Sequence, residues 1–238
     1  MQAREARPEG APPRPIGVPA IVGPIRFLFD YISPYAYLAW TQLHALAERN
    51  HAAVEPVPVL FAGLLNAHGQ KGPAEIPPKK IYIFKDVLRR AHGLGVPLAS
   101  PPSHPFNPLL ALRASSLPMA PEARRALIDG LFRATWGGGP GITAPAQIAA
   151  IATGAGLDGP RLVAAAETPE IKAQLRRQTD DAIAAGVFGV PTFFVGDELF
   201  WGFDALEFVE RCLRGEDPID RELVARWSAI QPTASRTT

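Results

Sequence analysis

The chain has 238 residues, 47% of them hydrophobic, a formal net charge of +1 and a single cysteine. That content suffices for one large domain or a domain with an insertion. The near-neutral balance argues against nucleic acid or an anionic membrane as partner, and no apolar run reaches the ~18 residues that span a bilayer. Cys212 alone excludes an internal disulfide and fits a reducing, cytoplasmic setting.

Residues 1–24 are rich in Pro and Arg and lack an apolar segment ahead of a small-residue cleavage site, so they read as a flexible leader. Ile25 to Asp30 is dense in aromatic and branched apolar residues, as a buried strand is. Pro34 suits the first turn of a helix, where its missing N–H forfeits nothing, and Leu38, Leu43, Leu46 and Ala47 then recur at helical spacing. Ser33 is thereby placed at or beside the N-cap, where free N–H groups and the positive dipole end favour an anion. Thiol–disulfide oxidoreductases keep a Cys-x-x-Cys motif at such a junction, because it lowers the first thiol's pKa. Here the four residues are Ser33-Pro34-Tyr35-Ala36. The junction suits a thiolate that the chain does not supply, so the thiolate has to arrive on a ligand.

Val54 to Leu60 reads as a second strand, and Pro56 and Pro58 assign it to an edge or a bulge. Strand signals then stop until about Gly186. Helical patterns cover about 77–93, 107–117, 121–136, 144–153, 159–166 and 169–185, with start signals at Thr143/Pro145, Asp158/Pro160 and Thr168/Pro169. Thr192 to Val195 and Glu198 to Trp201 flank a Gly196-Asp197 turn, as in a hairpin. A helix over about Asp204 to Arg214 ends at Gly215, and residues 229–238 read as a tail. The order β-α-β, many helices, β-β-α predicts an α/β protein: a thioredoxin-like domain (25–61 and 187–215) split by an all-helical insertion domain (62–186).

A second landmark is Val187-Phe188-Gly189-Val190-Pro191-Thr192. In thioredoxin-like folds such a Val-Pro-Thr turn carries a cis proline facing the active helix N-terminus. It leaves the backbone of Val190 open at a strand edge, where an extended peptide docks as an added strand. An edge for a peptide opposite an N-terminus for a thiolate describes a glutathione site.

Four blocks carry a resemblance to a known family: Phe29-Asp-Tyr-Ile-Ser-Pro-Tyr-Ala-Tyr-Leu-Ala39, Phe132-Arg-Ala-Thr-Trp136-Gly137, Val187 to Thr192, and Asp197-Glu-Leu-Phe-Trp201-Gly202-Phe203-Asp204. The chain resembles the 2-hydroxychromene-2-carboxylate isomerases, bacterial relatives of kappa-class glutathione transferases. The resemblance implies a glutathione cofactor, a small aromatic or conjugated carboxylate substrate and a homodimer. The implied reaction turns 2-hydroxychromene-2-carboxylate into trans-o-hydroxybenzylidenepyruvate by reversible thiolate addition. By the same resemblance Ser33 donates to the glutathione sulfur, Val190 and Pro191 pair with the cysteinyl unit, and Trp201, Gly202, Phe203 and Asp204 hold the rest of the tripeptide. Asp204 also suits a plain helix cap. No His–acid pair neighbours Ser33 in sequence, so it is not expected to act as an acyl-accepting nucleophile.

The substrate side departs from the family. Its Lys and Asn-Arg pair align with Leu65, Glu75 and Ile76 here. Lys79, Lys80, Asn107 and Arg113 remain as candidates for holding the substrate carboxylate, with Asn107 and Arg113 equally readable as cap and surface residues. Gly154-Ala-Gly156-Leu-Asp-Gly159 matches G-x-G-x-x-G but follows a helical segment, so it reads as a helix–helix turn and not as a dinucleotide site. The five histidines lack paired ligand spacing, and no metal is expected. Cys212 reads as a buried, inert thiol, and Trp136 and Trp201 as core residues first. Two rivals stay open: a transferase acting on another electrophile, and a glutathione- or peptide-binding protein without chemistry. Ser33 and Ala36 exclude disulfide exchange.

Overall fold

The computed structural model describes residues 23–234; the expected leader, except its last two residues, and the last four residues of the expected tail lie outside them. Four strands form one sheet in the order β2-β1-β3-β4: β1 (Ile25–Phe29), β2 (Val54–Pro58), β3 (Thr192–Val195) and β4 (Glu198–Trp201). β1 runs parallel to β2 and antiparallel to β3, and β3 pairs antiparallel with β4. α1 (Pro34–Arg49) joins β1 to β2, and α9 (Leu206–Leu213) follows β4. This is a thioredoxin-like framework. Between β2 and β3 the chain is helical: α2 (Phe61–Ala67), α3 (Pro77–Leu94), α4 (Leu109–Ser116), α5 (Pro121–Trp136), α6 (Pro145–Gly154), α7 (Gly159–Ala166) and α8 (Pro169–Ala184). No helix among the described residues is long and apolar enough to cross a membrane.

Period-2 alternation sends β1's side chains to two cores. Ile25, Phe27, Phe29 and, just beyond the strand, Tyr31 join α1 and α5 in the larger apolar cluster. Leu28 points the other way, to Val59, Leu64, Ala182, Val187 and Phe194. A strand buried on both faces reads as a continuous apolar run, which is how this one is legible. Phe132 of α5 ties the larger cluster together, with ring centroids 5.5 Å from Phe29, 4.8 Å from Tyr31 and 6.1 Å from Tyr37.

The prolines of β2 sit at the sheet edge, Pro56 opposite Phe27 and Pro58 opposite Phe29. Asp158 caps α7, accepting from Arg161 N at 3.1 Å. The N-cap of α6 is Ala144 and not Thr143, and Gln147 Oε1 accepts from the Ala144 N–H at 2.9 Å. The G-x-G-x-x-G stretch is the turn between α6 and α7. Gly215 follows α9 with φ +69°, the left-handed geometry that glycine adopts without strain. Two helices went unread: the short α2, and α10 (Arg221–Ser228), capped by Asp220 accepting from Leu223 N at 3.0 Å. Trp136 is buried, but Trp201 is 54% exposed, because β4 is an edge strand and the indole lies outward against Phe188.

Phe132→Ala should cost about 3–5 kcal/mol of stability in urea unfolding, since the aromatic cluster cannot close around the space left. A loss under about 1 kcal/mol would show that α5 does not anchor the sheet.

Candidate active site

The site lies where α1 begins. Ser33 adopts extended backbone angles and caps the helix, its Oγ accepting from Ala36 N at 3.2 Å. The Tyr35 N–H, next along the helix start, has no hydrogen-bond partner among the described residues. Ser33 itself is held from behind, donating its N–H to the Asp30 carbonyl at 3.1 Å. The Asp30 carboxylate, 1% exposed, accepts from Ile32 N at 3.0 Å and from Phe61 N at 2.9 Å, tying the loop to the start of α2. Trp136 Nε1 donates to the Tyr31 carbonyl at 2.8 Å, and Tyr31 Oη lies 2.6 Å from Ser115 Oγ. Residues 30–33 are therefore fixed from several elements before any ligand arrives.

Facing this loop is the turn that leads into β3. The Val190–Pro191 peptide is cis, and Ser33 Oγ donates to the Val190 carbonyl at 3.5 Å, a long contact that still shows the two groups facing each other. The Val190 N–H has no hydrogen-bond partner among the described residues. Thr192 Oγ1 donates to the Gly189 carbonyl at 2.7 Å and pins the turn from inside. Trp201 covers it from outside. A Cβ on Gly189 would stand 2.5 Å from Trp201 Nε1, so only glycine lets the indole lie there. The Gly202 N–H donates to the Pro191 carbonyl at 2.9 Å, joining the 201–204 segment to the turn. Gly202 has φ +95°, and Phe203–Ala205 form a 3-10 turn that enters α9.

The structure thus brings Ser33, Val190, Pro191, Trp201, Gly202, Phe203 and Asp204 around one junction. The substrate-side candidates separate. Lys80 belongs to a wall beside the loop: its Nζ donates to the His104 carbonyl at 3.4 Å and lies 5.8 Å from the Phe84 ring centroid. His104 Nε2 donates to the Ile32 carbonyl at 3.1 Å, next to Ser33, and packs on Phe84 and Trp136. Burial lowers the His104 pKa, against the Ile32 hydrogen bond that raises it, with the Lys80 charge acting in the same direction as burial. Lys79 is exposed in the first turn of α3. Asn107 Oδ1 accepts from Leu109 N at 3.0 Å, an exposed local bond just before α4, whose N-cap is Pro108. Arg113 lies on α4 with its Nε buried and without a hydrogen-bond partner among the described residues. No group of three or more His, Cys, Asp or Glu among the described residues is arranged to hold a metal. Cys212 is buried and its thiol is pushed up to about 11 by that burial. A cavity of about 860 Å³ opens between α1 and α5, lined by Tyr37, His44, Val96, Arg125 and Arg133, with no wall in common with the Ser33 loop.

Sequence reading passed over Asp30 and His104. Asp30 carried one signal, a carboxylate closing an apolar strand.

The DSBA-like thioredoxin domain profile matches residues 24–214. A 2-hydroxychromene-2-carboxylate isomerase of Sphingobium xenophagum is 31% identical over 191 residues, covering 79% of this chain and 97% of that protein. A glutathione S-transferase kappa 2 of Caenorhabditis elegans is 28% identical, covering 73% of this chain and 81% of its own length. Among solved structures, a 2-hydroxychromene-2-carboxylate isomerase is similar with a TM-score of 0.72 and 27% identity, over 86% of this chain and 97% of that one.

Burial of Asp30 pushes its carboxyl from the ordinary 3.8 up to about 7, against the two amide bonds that favour the ionised form. The folded state then holds a proton that the unfolded chain releases at lower pH. Stability declines as pH rises between those two values, by on the order of 1 kcal/mol per pH unit. Urea unfolding from pH 4.5 to 7.5 should show this decline in the native protein and a much flatter profile in Asp30→Asn. Equal slopes in both would contradict the assignment.

Proposed function

The chain belongs to the DSBA-like thioredoxin domain family and, within it, to the 2-hydroxychromene-2-carboxylate isomerase group, and on that premise we propose that it is a glutathione-dependent isomerase acting on 2-hydroxychromene-2-carboxylate. The observation that carries the reading is the Ser33 hydroxyl facing the Val190 backbone across the junction of α1 and β3, with no cysteine at either end of the Ser33–Ala36 motif. The residues fit glutathione. The Val190 N–H and C=O present a strand edge for the cysteinyl unit, and the start of α1 presents an unpaired amide and a hydroxyl for its sulfur. When bound, glutathione supplies a thiolate nucleophile that adds to the conjugated system of the substrate and leaves again.

The chain's own part is electrostatic. The Ser33 proton rests on a 3.5 Å contact to Val190, so turning it toward a sulfur gives up little. Its donation, together with the helix dipole and the Tyr35 N–H, favours the ionised thiol over the free value near 8.5. Ser33 is only 8% exposed, so the donors act where water competes weakly. On the substrate side Lys80 offers a cation beside the loop, with Phe84 next to it for an aromatic ring. A substrate carboxylate at Lys80 places the conjugated ring against the Phe84–His104 wall. A homodimer in the cytosol belongs to the same reading.

Similarity to a kappa glutathione transferase supports a second reading, conjugation of glutathione to a different electrophile. The two differ in the fate of the thiol. An isomerase returns glutathione unchanged, whereas a transferase consumes it in step with product.

With 2-hydroxychromene-2-carboxylate and catalytic glutathione, turnover should continue well beyond one equivalent of glutathione. Ser33→Ala should lower kcat/KM by about 10²-fold, the effect of removing one donor to a charged reacting atom. Lys80→Met should mainly raise KM. Turnover without glutathione, or an unchanged Ser33→Ala enzyme, would overturn the proposal, and stoichiometric loss of glutathione would select the transferase reading.

A further inference from the structure

Arg90 stands at the rim of the site with one of its five N–H donors committed. Its Nε donates to Asp86 Oδ2 at 2.6 Å, and the same oxygen accepts from Tyr35 Oη at 2.7 Å. The guanidinium carbon lies 5.9 Å from the Tyr35 ring centroid and 5.4 Å from that of Phe203. Tyr35 belongs to the first turn of α1, two positions after Ser33, and Phe203 opens the turn that enters α9. One side chain of α3 therefore bridges the two elements that form the thiol site. Held by Asp86 and by two rings, the planar head is oriented in advance, so further ordering on binding is small. Its side chain keeps 34% exposure, and neither Nη has a hydrogen-bond partner among the described residues.

The neighbouring charge is complementary. Asp204 follows Phe203, is exposed, and lies near enough for its carboxylate to act on Arg90. A guanidinium with free N–H groups beside an exposed carboxylate is the counterpart of an α-amino-acid head, which carries a carboxylate and an ammonium on one carbon. Glutathione has such a head at its γ-glutamyl end. Its glycyl end has a carboxylate alone, which Asp204 would repel. Resting on the glutathione reading above, in which Asp204 already holds part of the tripeptide, we propose that Arg90 binds the α-carboxylate of the γ-glutamyl residue. The tripeptide then runs from the Arg90–Asp204 pair past Val190, which fixes its direction along the β3 edge.

The test is a calorimetric binding cycle on the full chain. Glutathione is compared with 4-aminobutyryl-cysteinyl-glycine, which lacks only that carboxylate, on the native protein and on Arg90→Gln. The native protein should bind the analogue about ten- to a hundredfold more weakly, as for loss of a charged hydrogen-bonded group. Arg90→Gln should bind glutathione more weakly by a similar factor and should no longer distinguish the two ligands. Arg90→Lys, which keeps the charge but not the fork, should retain part of the discrimination. Equal binding of both ligands by the native protein overturns the Arg90 assignment without any variant, and so does Arg90→Gln that weakens both ligands alike. If the native protein binds neither ligand, the glutathione reading fails and the proposal falls with it.

Discussion

The pairing of β1 with β3 is the constraint on which the site depends. It aligns Leu28 with Thr192 and Phe27 with Phe193, so the ends of the two strands emerge side by side. One end continues into the Ser33 cap of α1, and the other is preceded by the cis Val190–Pro191 turn. Residues 157 positions apart thereby face each other, one offering a hydroxyl at a helix N-terminus and the other an open strand backbone. The intervening helices do not interrupt this register. They bury it, with α1 and α5 on one face of β1 and α2 and α8 on the other.

Around that junction the protein has arranged fixed polar groups instead of reactive ones. Asp30 and Trp136 hold the loop by its backbone, His104 holds the Ile32 carbonyl, and Asp86 holds both Tyr35 and Arg90. None of these groups needs to reorganise when a charge forms at the helix end, which is the condition for electrostatic stabilisation to work. An oxidoreductase would place its own thiolate here. The replacement of both cysteines by Ser33 and Ala36 leaves the electrostatics without the redox chemistry.

What was legible in the sequence was local. Ser33-Pro34 announces a capped helix because the capping oxygen and the missing N–H act within one turn, and Gly196-Asp197 announces a hairpin for the same kind of reason. Pro56 and Pro58 pointed to an edge or a bulge because a proline cannot donate to a second neighbour, and β2 is an edge strand. What stayed hidden depends on distant contacts. The proton affinity of Asp30 is set by burial under α2, and the position of Arg90 by Phe203, far along the chain. Trp201 looks like a core residue until the sheet order leaves β4 at the edge. α10 was missed because Val224 and Trp227 are apolar yet exposed, so the helix lacks the buried stripe that a periodic reading relies on.

The decisive property of this junction is whether it ionises a thiol that the chain itself does not carry. Ultraviolet difference titration of glutathione on the protein, with Ser33→Ala alongside, reads that ionisation directly. A thiolate absorption band should develop near neutral pH with the native protein, below the free thiol's pKa of about 8.5, and move to higher pH in Ser33→Ala. Binding without a thiolate band in the native protein, or the same band in both proteins, would contradict this expectation.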